Sequence, residues 1–141
     1  MSQNTRTNYF LGLINNVLQA PENKEKLSKI DVTVVVAGQI ITGTLVSEDE
    51  YFSHNITSPW KNSYDSTVKK QRQEYLNLPD EDFNEDDFPD HLKQNFLFLT
   101  NAFYVIGDKT IPSTGNPGIP IQVRLADVVA FNFGSFSVTN N

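Results

Sequence analysis

Two valine- and isoleucine-rich segments separated by a glycine constrain the fold of this 141-residue chain more than any other feature. Residues 30–37 are rich in β-branched side chains, and their side chains mostly alternate between the two faces of a strand. Residues 40–46 continue the pattern after a tight turn at Gly38 and Gln39. Gly43 interrupts the second segment, and an isolated glycine inside a strand marks a bulge, a sharp bend or a close backbone approach. The two segments therefore predict an antiparallel hairpin that bends strongly at Gly43.

The N-terminal stretch has the spacing of an amphipathic helix, because its apolar residues recur at intervals of three and four. Pro21 cannot continue a helix, so the predicted helix covers residues 8–20. Its apolar stripe is expected to cover the open end of a small barrel, with a partner interface as the alternative. The stripe consists of Phe10, Leu13, Ile14 and Val17.

The remaining apolar segments predict a five-stranded, strongly bent antiparallel barrel behind this helix. Tyr51 and Phe52 are predicted to resume the second strand, and residues 96–106, apolar on both faces, predict a central strand with a kink. The chain is thus predicted to be a single, mainly β domain with flanking helices. The predicted domain covers residues 1–141. Its predicted elements are the helix 8–20, barrel strands within 30–52 and 96–134, a single turn at 126–127 and a last strand over 128–133.

Residues 53–95 do not continue the barrel pattern and are predicted to be a long insertion, with a polar surface helix ending near residue 76. Its acidic loop, residues 80–90, holds seven of the 17 acidic residues of the chain and none of its 11 basic residues. The net charge of −6 is therefore a local feature of the insertion, and the rest of the chain is close to neutral.

The acidic loop is interpreted as a solvated loop or as a binding site for a protein partner. An EF-hand alignment starting at Asp80 fails, because Glu85 replaces the glycine of the sharp turn and His91 replaces the bidentate glutamate. Two phenylalanines in the loop favour a protein partner, since aromatic side chains left in water need a surface to pack on. The candidate partner-binding residues are Asp80, Glu81, Asp82, Phe83, Glu85, Asp86, Asp87, Phe88 and, from an aromatic group earlier in the insertion, Trp60.

No set of residues has the spacing of a catalytic or cofactor site. Cysteine is absent, which excludes thiolate nucleophiles, zinc–thiolate sites and disulfides. His54 and His91 lack a zinc-binding spacing, and the sequence contains no nucleophile-elbow, dinucleotide-binding or P-loop motif. We therefore expect a protein that is not an enzyme and that binds no cofactor or metal ion.

Charge and apolar runs argue against nucleic acids and membranes as partners. Basic residues cluster only at Lys69, Lys70 and Arg72, and binding to a phosphate backbone needs many such side chains. The apolar run 96–99 is far shorter than the roughly 20 residues of a membrane-spanning helix. The N-terminus shows no secretory signal pattern, so a cytoplasmic protein is expected.

Residues 34–52 resemble the first signature of Sm-like barrels, which belong to the SH3-like small barrels. Gly38 and Gly43 stand five residues apart, Leu45 follows two residues later, and Asp49 follows four residues after that. The resemblance implies that Gly38, Gly43 and Asp49 determine the fold. It also implies that a homo-oligomer could form by pairing of edge strands, for which the last strand is sufficiently apolar.

This chain lacks the residues with which Sm-like proteins contact RNA. Ser53 stands where the family has an asparagine, and the pair Ile106–Gly107 lacks the arginine of the second signature. The resemblance therefore supports the fold more strongly than RNA binding.

A second resemblance covers more of the chain. The order of a short helix, a glycine-linked hairpin, an insertion and a closing set of apolar strands is similar to the gas vesicle accessory protein U family. The matching residues are Val34–Val36, Gly38, Ile41, Gly43–Ser47, Glu50–Phe52 and the late stretch 121–134. This resemblance implies a cytoplasmic, non-catalytic protein that acts in gas-vesicle assembly or clustering through contacts with shell or other accessory proteins.

Two other functions stay open at this point. Seven clustered carboxylates could imitate a run of phosphates, which predicts an acidic immunity protein or nucleic-acid mimic bound to a basic partner. An Sm-like RNA-binding protein is the third possibility, and it needs a basic face.

Overall fold

The computed structural model describes residues 6–19, 30–82, 84, 88–89, 92–93, 95–113 and 115–135. Helix α1 (Arg6–Gln19) precedes a hairpin of β1 (Ile30–Val36) and β2 (Gln39–Val46). A short helix α2 (Glu48–Tyr51) leads into the insertion, in which consecutive helical segments run from residue 58 to residue 76. We call this continuous stretch the insertion helix; it comprises Ser58–Trp60, Lys61–Tyr64, Asp65–Lys69 and Lys70–Leu76.

The second half of the described chain completes an antiparallel sheet of six strands. Its elements are β3 (Phe96–Ile106), β4 (Lys109–Ile111), β5 (Ile119–Arg124), a single 3₁₀ turn (Leu125–Asp127) and β6 (Val128–Phe133). The strand order is β4-β3-β2-β1-β6, and β5 also pairs with β3. The prediction of an N-terminal helix followed by antiparallel strands is confirmed, but the described residues form a mixture of helix and sheet with six strands, instead of the predicted mainly β fold with five.

Strand β3 pairs with two strands in addition to β2: its first half pairs with β5 and its second half pairs with β4. Within the described residues β5 and β6 are joined by the 3₁₀ turn but are not paired with each other. The sheet is therefore not closed, and the predicted barrel is not confirmed.

Gly43 lies at a register shift and at a close approach of two strands, which are two of the three features that an isolated strand glycine marks. The β2–β3 register shifts between Thr42 and Thr44, and Asn101 on β3 has a φ of 50°. A Cβ atom on Gly43 would lie 2.8 Å from the Cβ of Ala102, closer than real Cβ atoms approach. A glycine at this position lets β3 approach β2 closely where the register of the two strands shifts.

The hairpin turn also depends on glycine. Ala37 and Gly38 have φ angles of 51° and 80°, so both central residues of the turn are left-handed. A two-residue turn of this kind matches the twist of the flanking strands and favours glycine. The predicted turn at Gly38 is confirmed, one residue earlier than the pair Gly38–Gln39 that the sequence suggested.

The core lies between α1 and the concave face of the sheet. Its fully buried side chains include Leu11 from α1, Val32 and Val34 from β1, and Leu97 and Leu99 from β3. Burying side chains of this size stabilises a fold by about 1.5–3 kcal/mol each. Helix α1 therefore packs on the sheet and covers its core, but not at the open end of a closed barrel.

The face of α1 that packs against the sheet is not the predicted apolar stripe. Leu11, Asn15 and Leu18 are buried and Ile14 packs partly against the core. The stripe members Phe10, Leu13 and Val17 are 53%, 47% and 47% exposed. The prediction failed because the buried face contains an asparagine, which a count of apolar residues cannot include.

The predicted continuation of β2 through Tyr51 and Phe52 is wrong. The Oγ atom of Ser47 accepts a hydrogen bond from the backbone N–H of Glu50 at 3.2 Å, and three acidic residues occupy the first turn of α2. A capping serine and acidic side chains both stabilise a helix N-terminus. The polar residues 47–50 therefore begin a short helix and turn the chain away from the sheet.

Candidate partner-binding surface

An aromatic cluster fixes the start of the insertion on the sheet. The rings of Phe52 and Tyr64 stack with centroids 4.4 Å apart, and Tyr51 contacts Phe98 edge-on at 5.0 Å. Such pairs contribute about 0.5–1.5 kcal/mol beyond their buried area. Since Phe98 belongs to β3, the cluster packs the start of the insertion against that strand.

A mostly buried ion pair holds the insertion helix further along. The guanidinium of Arg72 lies 3.0 Å from Oε1 of Glu48, and the two side chains are only 15% and 6% exposed. The Nε atom of Arg72 also donates a hydrogen bond of 2.7 Å to the backbone oxygen of Leu92, which is fully buried. One arginine thus links α2, the insertion helix and the chain that follows the acidic loop.

The ion pair continues as a hydrogen-bond network into α1. The backbone N–H of Glu48 donates to Oε1 of Gln19 at 2.8 Å, and Gln19 donates to Asn15 and to the backbone oxygen of Val46. Asn15 in turn donates to the backbone oxygen of Phe96 at 3.0 Å. Buried polar groups that are all paired define a single arrangement, so α1, the sheet and the insertion are held in one geometry.

Tyr64 belongs to this network but does not have the properties of a catalytic acid or base. Burial raises the pKa of its phenol, and the charge of Glu48 and a hydrogen bond to it raise the pKa further, while Arg72 acts in the opposite direction. The net result is a pKa well above the ordinary value of 10.0. Tyr64 is therefore a neutral phenol near neutral pH and serves as a hydrogen-bonding group.

The acidic loop begins directly after the insertion helix. Asp80, Glu81 and Asp82 are exposed, and Phe88 is half-buried with its ring 5.4 Å from that of Tyr75 in an edge-on contact. Phe88 therefore anchors the end of the loop to the insertion helix. The other predicted loop residues, Phe83, Glu85, Asp86 and Asp87, lie outside the described residues.

Two exposed leucines precede the acidic turn in the sequence. Leu76 is 63% exposed and Leu78 is 40% exposed, immediately before Asp80. Sequence reasoning missed both, although an apolar pair at the end of a polar helix is a signal that the sequence carries. Acidic and apolar side chains together form what we call the acidic surface: Leu76, Leu78, Asp80, Glu81 and Asp82.

Trp60 does not belong to the acidic surface. Its side chain is 66% exposed, and Ile56 close by in sequence is 58% exposed. Sixteen residues of the insertion helix separate Trp60 from Leu76, which corresponds to about 24 Å at 1.5 Å per residue. The insertion thus presents two separate surfaces, one at each end of its helix.

The third predicted set concerns the fold. Gly38 occupies the hairpin turn and Gly43 the register shift described above, and the side chains of Asp49 and Lys69 form an ion pair with a distance of 3.1 Å. Asp49 therefore connects α2 to the insertion helix.

Small clefts lie beside the insertion helix. One, of about 120 Å³, is lined by side chains of the network and of the aromatic cluster, including Phe52, Tyr64 and Arg72. In the part of the chain that the structure describes, no group of three or more histidine or carboxylate side chains is placed to hold a metal ion. Among the same residues, no helix has the length and apolarity needed to cross a bilayer.

Comparison with known proteins gives one match. The family model described as "Gas vesicle protein GvpU-like" matches residues 12–136, which include the hairpin, the insertion and all six strands. No curated protein and no solved structure matches the chain.

Proposed function

Because the chain belongs to the gas vesicle protein GvpU-like family, we propose that it is a non-catalytic accessory protein that binds other proteins of the gas vesicle in the cytoplasm. Its partners in this proposal are shell proteins or other accessory proteins, and its role is in assembly or in clustering of vesicles. The insertion provides the binding site, and the acidic surface is its main part.

The observation that carries this proposal is the network that fixes the insertion. Arg72 connects the insertion helix to α2 and to the chain after the acidic loop, through groups that are almost fully buried. A charged pair of this kind is expensive to bury, and one of its uses is to specify a single arrangement. Here the arrangement holds exposed carboxylates next to exposed leucines at the end of the insertion helix.

The combination of side chains indicates the type of contact. Fully hydrated carboxylates alone give little affinity, whereas apolar side chains buried at the centre of an interface supply most of it. Leu76 and Leu78 would supply that apolar centre, and Asp80 and Asp82 would orient a partner with basic groups. The partner surface is therefore expected to be apolar with a basic rim.

The scaffold in this proposal is the bent, Sm/SH3-like small barrel. The register shift at Gly43, the close approach of β3 to β2 and the 3₁₀ turn before β6 support this interpretation. The uncharged β6 and the acidic insertion give no support to RNA binding, which depends on basic side chains.

The test is a binding assay of the full chain with purified gas-vesicle shell and accessory proteins. The double variant Asp80→Asn, Asp82→Asn is expected to weaken binding about 3- to 10-fold, because rim charges contribute modestly. A matched control, Asp108→Asn, Asp127→Asn, removes the same charge from two exposed positions outside the insertion and is expected to leave binding unchanged. Leu76→Ser is expected to weaken binding more than either double variant.

A second function has its own supporting observation. The exposed Asp80, Glu81 and Asp82 would also suit an acidic immunity protein or nucleic-acid mimic that binds a basic partner. In that case the double variant Asp80→Asn, Asp82→Asn abolishes binding to a basic protein and Leu76→Ser has little effect. No binding to any gas-vesicle protein, together with tight binding to a basic protein, would replace the first proposal with this one.

A further inference from the structure

A cleft of about 190 Å³ lies on the sheet beside the register shift of β2 and β3. Alternation along β1 and β2 directs its side chains away from the core, since their sequence neighbours Val32 and Leu45 are fully buried in the core. None of its lining residues belongs to the acidic surface or to the aromatic cluster of the insertion. The side chains that decide its chemistry are Asp31, Thr42, Thr44, Asn101, Phe103 and Thr110.

The oxygens of this cleft are mainly hydrogen-bond acceptors. Thr44 donates its hydroxyl hydrogen to Oδ1 of Asp31 at 2.7 Å, and Thr110 donates its own to the backbone oxygen of Pro112 at 2.8 Å. A hydroxyl has one hydrogen and two lone pairs, so both threonine oxygens keep the capacity to accept. The ionised carboxylate of Asp31 can only accept. A ligand that satisfies these groups must therefore be rich in donors.

One polar side chain of the lining is almost fully buried. Thr42 is only 3% exposed, and its hydroxyl oxygen lies 3.1 Å from that of Thr33, which is 5% exposed. Valine has nearly the same shape and is the commonest residue of β1, and a buried hydroxyl costs more than a methyl group. The pair of hydroxyls thus keeps this part of the sheet polar where the hairpin could have been apolar.

The charge of the cleft selects a cation. Asp31 is the only charged side chain among the described residues that line it, and within the described ranges no basic side chain forms an ion pair with it. Phe103 adds an aromatic ring, whose face attracts a positive charge. Asn101 adds a donor, since its Oδ1 accepts from the backbone N–H of Gly118 and its amide nitrogen remains.

We propose that this cleft binds an alkylammonium group, such as the end of a lysine side chain or of a polyamine. An ammonium presents three N–H donors and a compact positive charge at the end of a flexible chain. It would donate to Asp31 and to the hydroxyl oxygen of Thr44, and the ring of Phe103 would attract its charge. A guanidinium fits less well, because its planar fork matches both oxygens of a carboxylate and Thr44 already donates to one of them.

This inference goes beyond the proposed function and does not depend on it, because the cleft and the acidic surface share no residue. A chain that binds no gas-vesicle protein could still bind an ammonium group in the cleft. Failure of ammonium binding would leave the proposed role of the acidic surface as it stands.

The test follows the backbone amide signals of the full, nitrogen-15-labelled chain by NMR during titration. The probes are Nα-acetyllysine amide, which represents a protein side chain, and cadaverine, which represents a polyamine. Saturable shifts are expected at residues 31, 42–44 and 103, with a dissociation constant between about 0.1 and about 10 mM. The probe that binds more tightly identifies the source of the group. Nα-acetylnorleucine amide has the same four-carbon chain without the ammonium and is expected to bind at least about tenfold more weakly.

Variants assign the binding to the cleft. Asp31→Asn is expected to raise the dissociation constant of Nα-acetyllysine amide about tenfold or more, because it removes the charge that pairs with the ammonium. Phe103→Leu should raise it about two- to fivefold, since the ring attraction is lost and an apolar side chain stays. The matched control is Asp127→Asn, which removes the same charge at an exposed position outside the cleft and should leave the constant unchanged.

Several results would overturn the proposal. They are the absence of saturable shifts up to about 20 mM, equal binding of the norleucine probe or by the Asp31→Asn variant, and shifts confined to Asp80, Glu81 and Asp82, where carboxylates attract any cation. A wild-type chain without shifts whose Lys29→Gln variant does show them would equally overturn it, since the chain's own lysine would then occupy the cleft.

Discussion

Replacing Arg72 with methionine tests whether the buried network holds the insertion in place. The change keeps the apolar stem of the side chain but leaves the carboxylate of Glu48, 5% exposed as a residue, without its ion-pair partner. It also removes the hydrogen bond that Arg72 donates to the backbone oxygen of Leu92. Breaking a buried pair by removing one partner costs about 3–5 kcal/mol, a large part of the 5–15 kcal/mol that stabilises a typical domain.

The assay is urea unfolding followed by circular dichroism. With a slope of about 2 kcal/mol per molar urea, a loss of 3–5 kcal/mol lowers the midpoint by roughly 1.5–2.5 M. The double variant Glu48→Gln, Arg72→Met should recover part of this loss, because it leaves no buried charge. Lys61→Met is the control, since it removes an exposed ion pair with Asp65 on the same helix, and no resolvable change in midpoint is expected. A deficit below about 1 kcal/mol at neutral pH would refute the reasoning, because it would mean that solvent or another group already compensates Glu48.

Three further changes test other parts of the structure. Gly43→Ala should destabilise the protein by about 1–3 kcal/mol in urea unfolding, because the added methyl group overlaps Ala102 on β3, and an unchanged midpoint would show that β3 can move away. Asn15→Leu should cost about 1–3 kcal/mol despite its greater hydrophobicity, since it leaves the backbone oxygen of Phe96 without its donor; a gain in thermal stability would contradict the role of Asn15. The raised pKa of Tyr64 predicts stability that is fully present below about pH 10 and declines above it, where the unfolded phenol ionises and the folded one does not. Urea unfolding between pH 9 and pH 11 should show this decline in wild type and a smaller one in Tyr64→Phe, and equal slopes would exclude it.

The sheet could be predicted largely from local patterns. The hairpin around Gly38, the irregularity at Gly43 and the kinked strand over 96–106 follow from β-branched alternation interrupted by glycine, which is a signal carried within a few residues. The short turn before β6 is visible for the same reason, as a break between two apolar strands. These elements are fixed by their own sequence, so the sequence suffices to place them.

The network could not be predicted, because it depends on contacts between residues far apart in the chain. From the sequence, Asn15 is expected to be a polar residue on the surface of a helix, yet it donates a hydrogen bond to the backbone oxygen of Phe96, 81 residues away. Glu48 and Arg72 are 24 residues apart and each has the composition of an ordinary surface residue. The same limitation explains why the wrong face of α1 was predicted to be buried. The buried face contains Asn15, whose partner is distant in sequence, and it is not the most apolar stripe of the helix.

The acidic surface was predicted in part. The run of carboxylates is evident from composition, whereas the exposure of Leu76 and Leu78 depends on how the network orients the insertion helix. Trp60 was grouped with the acidic loop because both lie in the insertion, and the helix between them separates the two.

The most direct test of the central claim is a co-flotation assay of the purified full chain with intact, isolated gas vesicles. The account predicts saturable binding, weakened by Leu76→Ser and unaffected by Asp108→Asn, Asp127→Asn. A chain that stays in the solution below the floating vesicles at every concentration, while circular dichroism shows it folded, would contradict the claim that the insertion binds a gas-vesicle protein.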